Sequence, residues 1–229
     1  MRKTYPITAR TLWRLFAALV LFATPTIIIA KIITELRETT PIYRDTAFLQ
    51  WFHQFSSPFL DWFAKIITNI GDIIIVVPVT VLLVAYLLYR RQRRAATFLL
   101  FGVGGAAVIG LTLKLLFQRA RPELWTHLVT ENGYSFPSGH AMMSSALALS
   151  IAALLWPTKY RWWAIGVGGF YVVIVGLSRL YLGVHFPTDV IGGWCLSFLW
   201  VLIIKMIIDR IPIHRVAAVI KEESQTNDK

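Results

Sequence analysis

The 229-residue chain is 56% hydrophobic and only 15% charged, with a mean hydropathy of +0.61. That balance excludes an ordinary soluble domain, which is about one-quarter charged. The net charge of +11 invites a nucleic-acid reading, and the single cysteine, Cys195, excludes both an intrachain disulfide and a thiolate zinc cluster.

The low charge is concentrated in short clusters between long apolar runs, the signature of a polytopic membrane protein whose spans need about 20 apolar residues each. A basic start, MRKTYPITARTLWR, precedes an apolar run from Leu15 to Ala30. It resembles a secretion signal, but no small-residue cleavage site follows, so it is read as a retained first span over about 12–33, with Trp13 at the interface and Pro25 as a point of kinking. Residues 34–61 form a connection in which Phe48, Leu49, Trp51, Phe52 and Phe55 recur at helical spacing. Such an aromatic, amphipathic piece fits the membrane interface, as a lipid entry rim or as a packing helix. Ser57-Pro58 is a helix start, with Ser as N-cap and Pro in the first turn.

The second span is expected over 62–89, with Asn69, Gly71 and Asp72 near its outer end as a local cap or bend. Arg90, Arg91, Arg93 and Arg94 separate it from a third span over 95–117, whose Gly102, Gly104, Gly105, Ala106, Ala107 and Gly110 suit close helix packing. A loop then leads to a fourth span over 139–156; the fifth covers 162–180 and the sixth 189–209, and the polar tail over 212–229 is expected to be disordered. The expected fold is one all-α domain over 1–229, a membrane helical bundle of six transmembrane helices.

Six spans put both termini on one side. That side carries 15 Lys and Arg residues against 8 on the other, so it is read as cytoplasmic. Membrane anchoring thus accounts for the net charge, and no nucleic-acid partner is expected. The same parity sends Asp72, Lys114, Arg121, His140, Arg179, His185 and Asp189 to the opposite face. Taken singly, Lys114 can be explained by snorkelling and Arg121 by interfacial anchoring. The set is not explained in that way, because ionisable groups at the membrane are costly and usually functional.

Lys114, Arg121 and Arg179 are read as three cations without matching carboxylates, which call for an anionic ligand such as phosphate. Pro137-Ser138-Gly139-His140 opens the fourth span, where free backbone N–H groups favour an anion and Gly139 allows close approach. A plain Ser138 N-cap would be compatible with this. His185 and Asp189 stand four residues apart, so the carboxylate can hold one ring nitrogen while the other faces phosphorus. His140 on the facing helix can then protonate the departing oxygen. Metal binding is the rival reading. Three nearby cations would repel a divalent ion unless phosphate screened it, which favours a site without metal or other cofactor.

Lys114, six residues and Arg121-Pro122, then Pro137-Ser138-Gly139-His140, then Ser178-Arg179, five residues, His185, three residues and Asp189 resemble the three-part signature of the type 2 phosphatidic acid phosphatase superfamily. The resemblance implies His185 as the nucleophile of a phosphohistidine intermediate, Asp189 as its orienting partner, and His140 as acid and then base. It further implies that Lys114, Arg121, Ser138, Gly139 and Arg179 hold the phosphoryl oxygens. Soluble acid phosphatases and vanadate-dependent haloperoxidases share that pocket, but the six expected spans point to the bacterial membrane branch.

The expected activity is therefore metal-independent hydrolysis of a lipid phosphate taken from the outer leaflet, at the extracytoplasmic face of a bacterial plasma membrane. Phosphatidylglycerophosphate ranks first as substrate, undecaprenyl pyrophosphate second and phosphatidic acid third. Headgroup selection is expected from the loop around 123–134, with Glu131 and Tyr134 as candidates, and from residues 41–61. A phosphate or phospholipid transporter is the alternative class. It would need polar groups continuing toward the cytoplasm, and the third and fourth spans offer only Thr112, Ser144, Ser145 and Ser150.

Overall fold

A computed structural model describes residues 9–37 and 43–210 of the chain. Within them the protein is helical: α1 (Ala9–Arg37), α2 (Tyr43–His53), α3 (Pro58–Ile70), α4 (Ile73–Tyr89), α5 (Arg93–Phe117), α6 (Gly139–Leu155), α7 (Arg161–Tyr181) and α8 (Pro187–Arg210). Five stretches are long and apolar enough to cross a membrane, and α6 is a shorter apolar helix. The basic residues ahead of Ala9 and the tail over 212–229 lie outside the described residues.

α6 is the axis. Ala141 to Ala148 are buried without interruption, because α4, α5, α7 and α8 pack around this helix. Its 17 residues rise about 25 Å, near the short limit for a span. Carbonyls in its first turn accept from buried hydroxyls on both sides: Ser144 donates to the Ala141 carbonyl at 3.2 Å, and Ser197 of α8 donates to the Met142 carbonyl at 2.7 Å. Gly193 permits the close approach of α8, since a Cβ there would lie 3.1 Å from the Ser138 carbonyl oxygen.

The second expected span is two helices rather than one. Asp72 ends the continuity by accepting from the Ile74 N–H at 2.8 Å as the N-cap of α4. At Gly71 a Cβ would sit 2.4 Å from Val175 Cγ1, so the corner can press directly against α7. α3 begins as its sequence indicates, with Ser57 accepting from the Leu60 N–H at 3.3 Å and proline in the first turn. It is anchored to α7 where the Tyr181 hydroxyl donates to Asp61 at 2.5 Å. From Pro58 to Tyr89 the pair and its corner take up 32 residues, more than a hydrocarbon core requires.

α1 extends to Arg37, four residues past its expected end, and packs on α8. α2 rests on the adjoining ends of α7 and α8. Its Asp45 and Leu49 are buried, whereas Phe48 and Trp51 are exposed, an amphipathic division of the kind its spacing indicates. The small residues of α5 have divided duties: Gly102 and Ala106 are buried, and Ala106, Ala107 and Gly110 line a cavity.

Candidate functional site

One end of the bundle collects the last turn of α5, the loop over 118–138, the first turn of α6, the last turn of α7 and the first turn of α8. Every sequence-predicted site residue lies there, and Asp72 is drawn in from the α3–α4 corner. His185 occupies the short link between α7 and α8 and is 1% exposed. Its Nδ1 lies 3.4 Å from Asp189 Oδ2, the arrangement implied by their four-residue spacing. Its Nε2 faces Arg121 Nη1 at 3.2 Å. Because a guanidinium can only donate, Nε2 carries the lone pair and Nδ1 the proton. Burial pushes the pKa of His185 well below the usual imidazole range, an effect that the nearby Asp189 opposes.

Asp189 is fully buried and accepts at both oxygens. Oδ2 receives the Phe186 N–H at 2.8 Å and the hydroxyl of Ser135, which itself lies 3.4 Å from His185 Nδ1. Oδ1 receives Arg119 Nη1 at 2.5 Å. Sequence reasoning singled out neither Ser135 nor Arg119. The available signals were their positions, just ahead of the Pro137 motif and between Lys114 and Arg121.

The three expected phosphate-binding cations converge, but they are not without carboxylates. Glu131 accepts from Arg179 with one oxygen and lies 3.5 Å from Arg121 Nη2 with the other. Burial works to raise the pKa of Glu131, but the charge and hydrogen bond of Arg179 outweigh it and hold the carboxyl below its usual range. Arg179 is completely buried and also donates to Thr68 at 2.5 Å. Arg121 is further fixed by the carbonyls of Val184, Gly133 and Asn132, at 3.0, 3.0 and 3.1 Å. Lys114 donates to the Tyr134 carbonyl at 2.5 Å, so Tyr134 contributes its backbone here.

Ser138 is the N-cap residue of α6, yet its hydroxyl makes no capping bond. That oxygen and Arg179 Nε are buried without a hydrogen-bond partner among the described residues. Two buried polar atoms left open beside a cluster of cations fit an anionic ligand. At Gly139 a Cβ would meet nothing nearer than Lys114 Cε at 3.9 Å.

His140 in the first turn of α6 places Nε2 3.1 Å from Asp72 Oδ2. The α4 N-cap therefore serves two structures at once, one oxygen on its own helix and the other on the imidazole. These residues border a cavity of about 280 Å³ between α4, α5 and α6. Asp72, Lys114, Glu131 and His140 form its polar end, and Ala106, Ala107, Gly110 and Leu111 contribute to its apolar wall. No cluster suited to holding a metal ion occurs among the described residues.

Residues 95–212 match the PAP2 superfamily. Phosphatidylglycerophosphatase B of Bacillus subtilis is 33% identical over 153 residues, covering 65% of this chain and 75% of that protein. Undecaprenyl-diphosphatase of Sulfolobus acidocaldarius is also 33% identical, over 63% of this chain and 69% of its own length. The crystal structure of the first transmembrane PAP2-type phosphatidylglycerolphosphate phosphatase from Bacillus subtilis superposes with a TM-score of 0.73 at 29% identity, over 84% of this chain and 96% of that one.

Proposed function

The chain belongs to the PAP2 superfamily and is a phosphate-ester hydrolase, and on that footing we propose that it dephosphorylates a membrane lipid through a phosphohistidine. The observation that carries this reading is the polarity of His185, with Nδ1 toward Asp189 and the Nε2 lone pair toward Arg121. A ring held in that tautomer is ready for nucleophilic attack.

In the proposed reaction the acyl or prenyl chain lies along the apolar wall of the cavity. The phosphoryl group displaces the Glu131 carboxylate from Arg121 and Arg179 and takes up the Ser138 hydroxyl. Arg121 turns from Nε2 to a phosphoryl oxygen. Nε2 then attacks phosphorus, the P–O ester bond breaks, and His140 gives its proton to the leaving alkoxide. Water next attacks the phosphohistidine, the P–N bond breaks, and His140 takes the proton released. Lys114, Arg121 and Arg179 stabilise the charge that develops on the equatorial oxygens, chemistry that proceeds without a metal ion.

In this reading α6 makes the sixth crossing beside the five longer stretches, the Lys and Arg asymmetry supports a site on the extracytoplasmic face, and the substrate is a lipid phosphate of the outer leaflet. Phosphatidylglycerophosphate is the preferred substrate in this reading, ahead of undecaprenyl pyrophosphate and phosphatidic acid; its support is the Bacillus subtilis relative named for that activity. The test is kcat/KM for these three lipids with the purified protein. Preference for either of the other two overturns the ranking, and absence of phosphate release from all three overturns the function.

A further inference from the structure

The dyad of His185 and Asp189 is tied to a helix outside the matched segment of residues 95–212. Arg119 makes the tie. Its Nη1 donates to Asp189 Oδ1 at 2.5 Å and to Thr188 Oγ1 at 2.8 Å, and its Nη2 donates to Asp45 Oδ2 at 2.9 Å. Asp45, in the first turn of α2, closes the circuit by accepting the Thr188 N–H at 3.2 Å and the Thr188 hydroxyl. The guanidinium carbon also lies 4.2 Å from the centre of the Phe186 ring. Asp45 is 3% exposed and Asp189 is not exposed, so solvent scarcely screens this arrangement. A second link joins the same two regions, because His53 at the end of α2 stacks on Trp125 of the 118–138 loop at 3.9 Å.

We propose that Arg119 and Asp45 are positioning residues that keep the Nδ1 proton on His185 through the reaction, which makes α2 part of the working site. The proposal rests on the phosphohistidine reading above. Attack by Nε2 converts the neutral ring into a phosphoimidazolium that still carries its Nδ1 proton. If Asp189 removed that proton, the product would be a neutral phosphoimidazole, whose P–N bond yields far less readily to water. A carboxylate already holding a guanidinium at Oδ1 competes poorly for the proton. It also keeps the orientation in which Oδ2 faces Nδ1. Arg119 thereby favours the second half of the cycle, hydrolysis of the P–N bond, and Asp45 holds Arg119 in place. Arginine is required because two separate nitrogens of one planar group must reach two carboxylates, which the point charge of lysine does not reproduce.

The experiment follows phosphoenzyme and product together, by rapid quench with ³²P-labelled lipid phosphate, in the parental protein, Arg119→Gln, Arg119→Lys and Asp45→Asn. Thermal unfolding of each variant in the same detergent verifies its fold. Arg119→Gln should lower kcat by roughly 10–100-fold, the scale on which partners of an orienting group act. KM should fall with it while acid-labile phosphohistidine accumulates, because the first step then outruns the second. Arg119→Lys should recover part of kcat, and Asp45→Asn should show the same accumulation at smaller amplitude. Folded variants that lose phosphoenzyme formation and hydrolysis equally, or that retain parental kcat, overturn the proposal. Absence of phosphohistidine from the parental protein, with product still formed, overturns the underlying reading instead and the proposal with it.

Discussion

Glu131 holds Arg179 by a direct hydrogen bond between carboxylate and guanidinium, in the very part of the site where an anion is expected. Its other oxygen points to Arg121, so one carboxylate spans two cations as a phosphoryl group would. Glu131→Gln should therefore tighten inhibition by orthovanadate several-fold by releasing both guanidiniums. It should also lower the unfolding temperature, because Arg179 is completely buried and would lose its anionic partner. Vanadate should restore more of that temperature in the variant than in the parental protein. An unchanged vanadate inhibition constant would show that Glu131 does not occupy the phosphate position.

In the proposed mechanism His140 acts as an acid, a role that matters only where the leaving group is a poor one. His140→Ala should reduce turnover of an alkyl phosphate by roughly 10²–10⁴-fold, the usual contribution of a positioned acid. The first-step burst with p-nitrophenyl phosphate should be much less affected, since nitrophenolate departs without a proton. Equal losses in alkyl phosphate turnover and in the nitrophenyl phosphate burst would remove His140 from the acid role.

Much of this arrangement was legible in the chain, and the missing parts share one physical cause. The apolar runs located α5 to α8 because each span is set by local composition, and the four-residue spacing of His185 and Asp189 is a property of a single helical turn. Asp72 could be read as a cap because capping is local, but its bond to His140 joins residues far apart in sequence. Arg119 drew no attention in the sequence because Asp45 and Asp189, which flank it, are far away along the chain. Nothing in a linear pattern distinguishes a solvated arginine from one enclosed by two buried carboxylates. The cap or bend at Asn69, Gly71 and Asp72 was legible, but not that it divides the span into two helices, because both sides of the corner are apolar.

The pH dependence follows from the burial of His185. Its pKa lies well below the ordinary imidazole value of about 6.5, so the ring stays neutral as pH falls through that point. In the proposed mechanism protonation would occupy Nε2 and stop attack, so the acid limb belonging to the enzyme is expected below pH 6.5. The unfolded chain takes up this proton first, so folding stability also declines as pH drops below 6.5. The measurement is kcat/KM against pH for a lipid phosphate titrated under the same conditions. An enzyme limb at or above 6.5 would contradict a neutral buried ring.

The cavity wall offers a separate test of how the lipid tail is held. Ala107→Leu adds bulk beside Gly110 without touching the ionisable groups at the polar end. Turnover of a long-chain lipid phosphate should fall at least tenfold in kcat/KM, whereas a short water-soluble phosphomonoester should be cleaved at the parental rate. Parallel losses on both substrates would place the tail elsewhere.

The apolar border of the cavity between α4 and α5 has a consequence for kinetics. Asp72, Lys114 and His140 at its polar end adjoin the apolar residues that line its wall. Ile73 and Leu111 border the cavity and are largely exposed on the sides of α4 and α5. A lipid can therefore arrive sideways and never leave its leaflet. Encounter is then a two-dimensional search governed by the mole fraction of substrate among its neighbours. Diluting the membrane with inert lipid should slow the enzyme even when the total substrate in the tube is held constant.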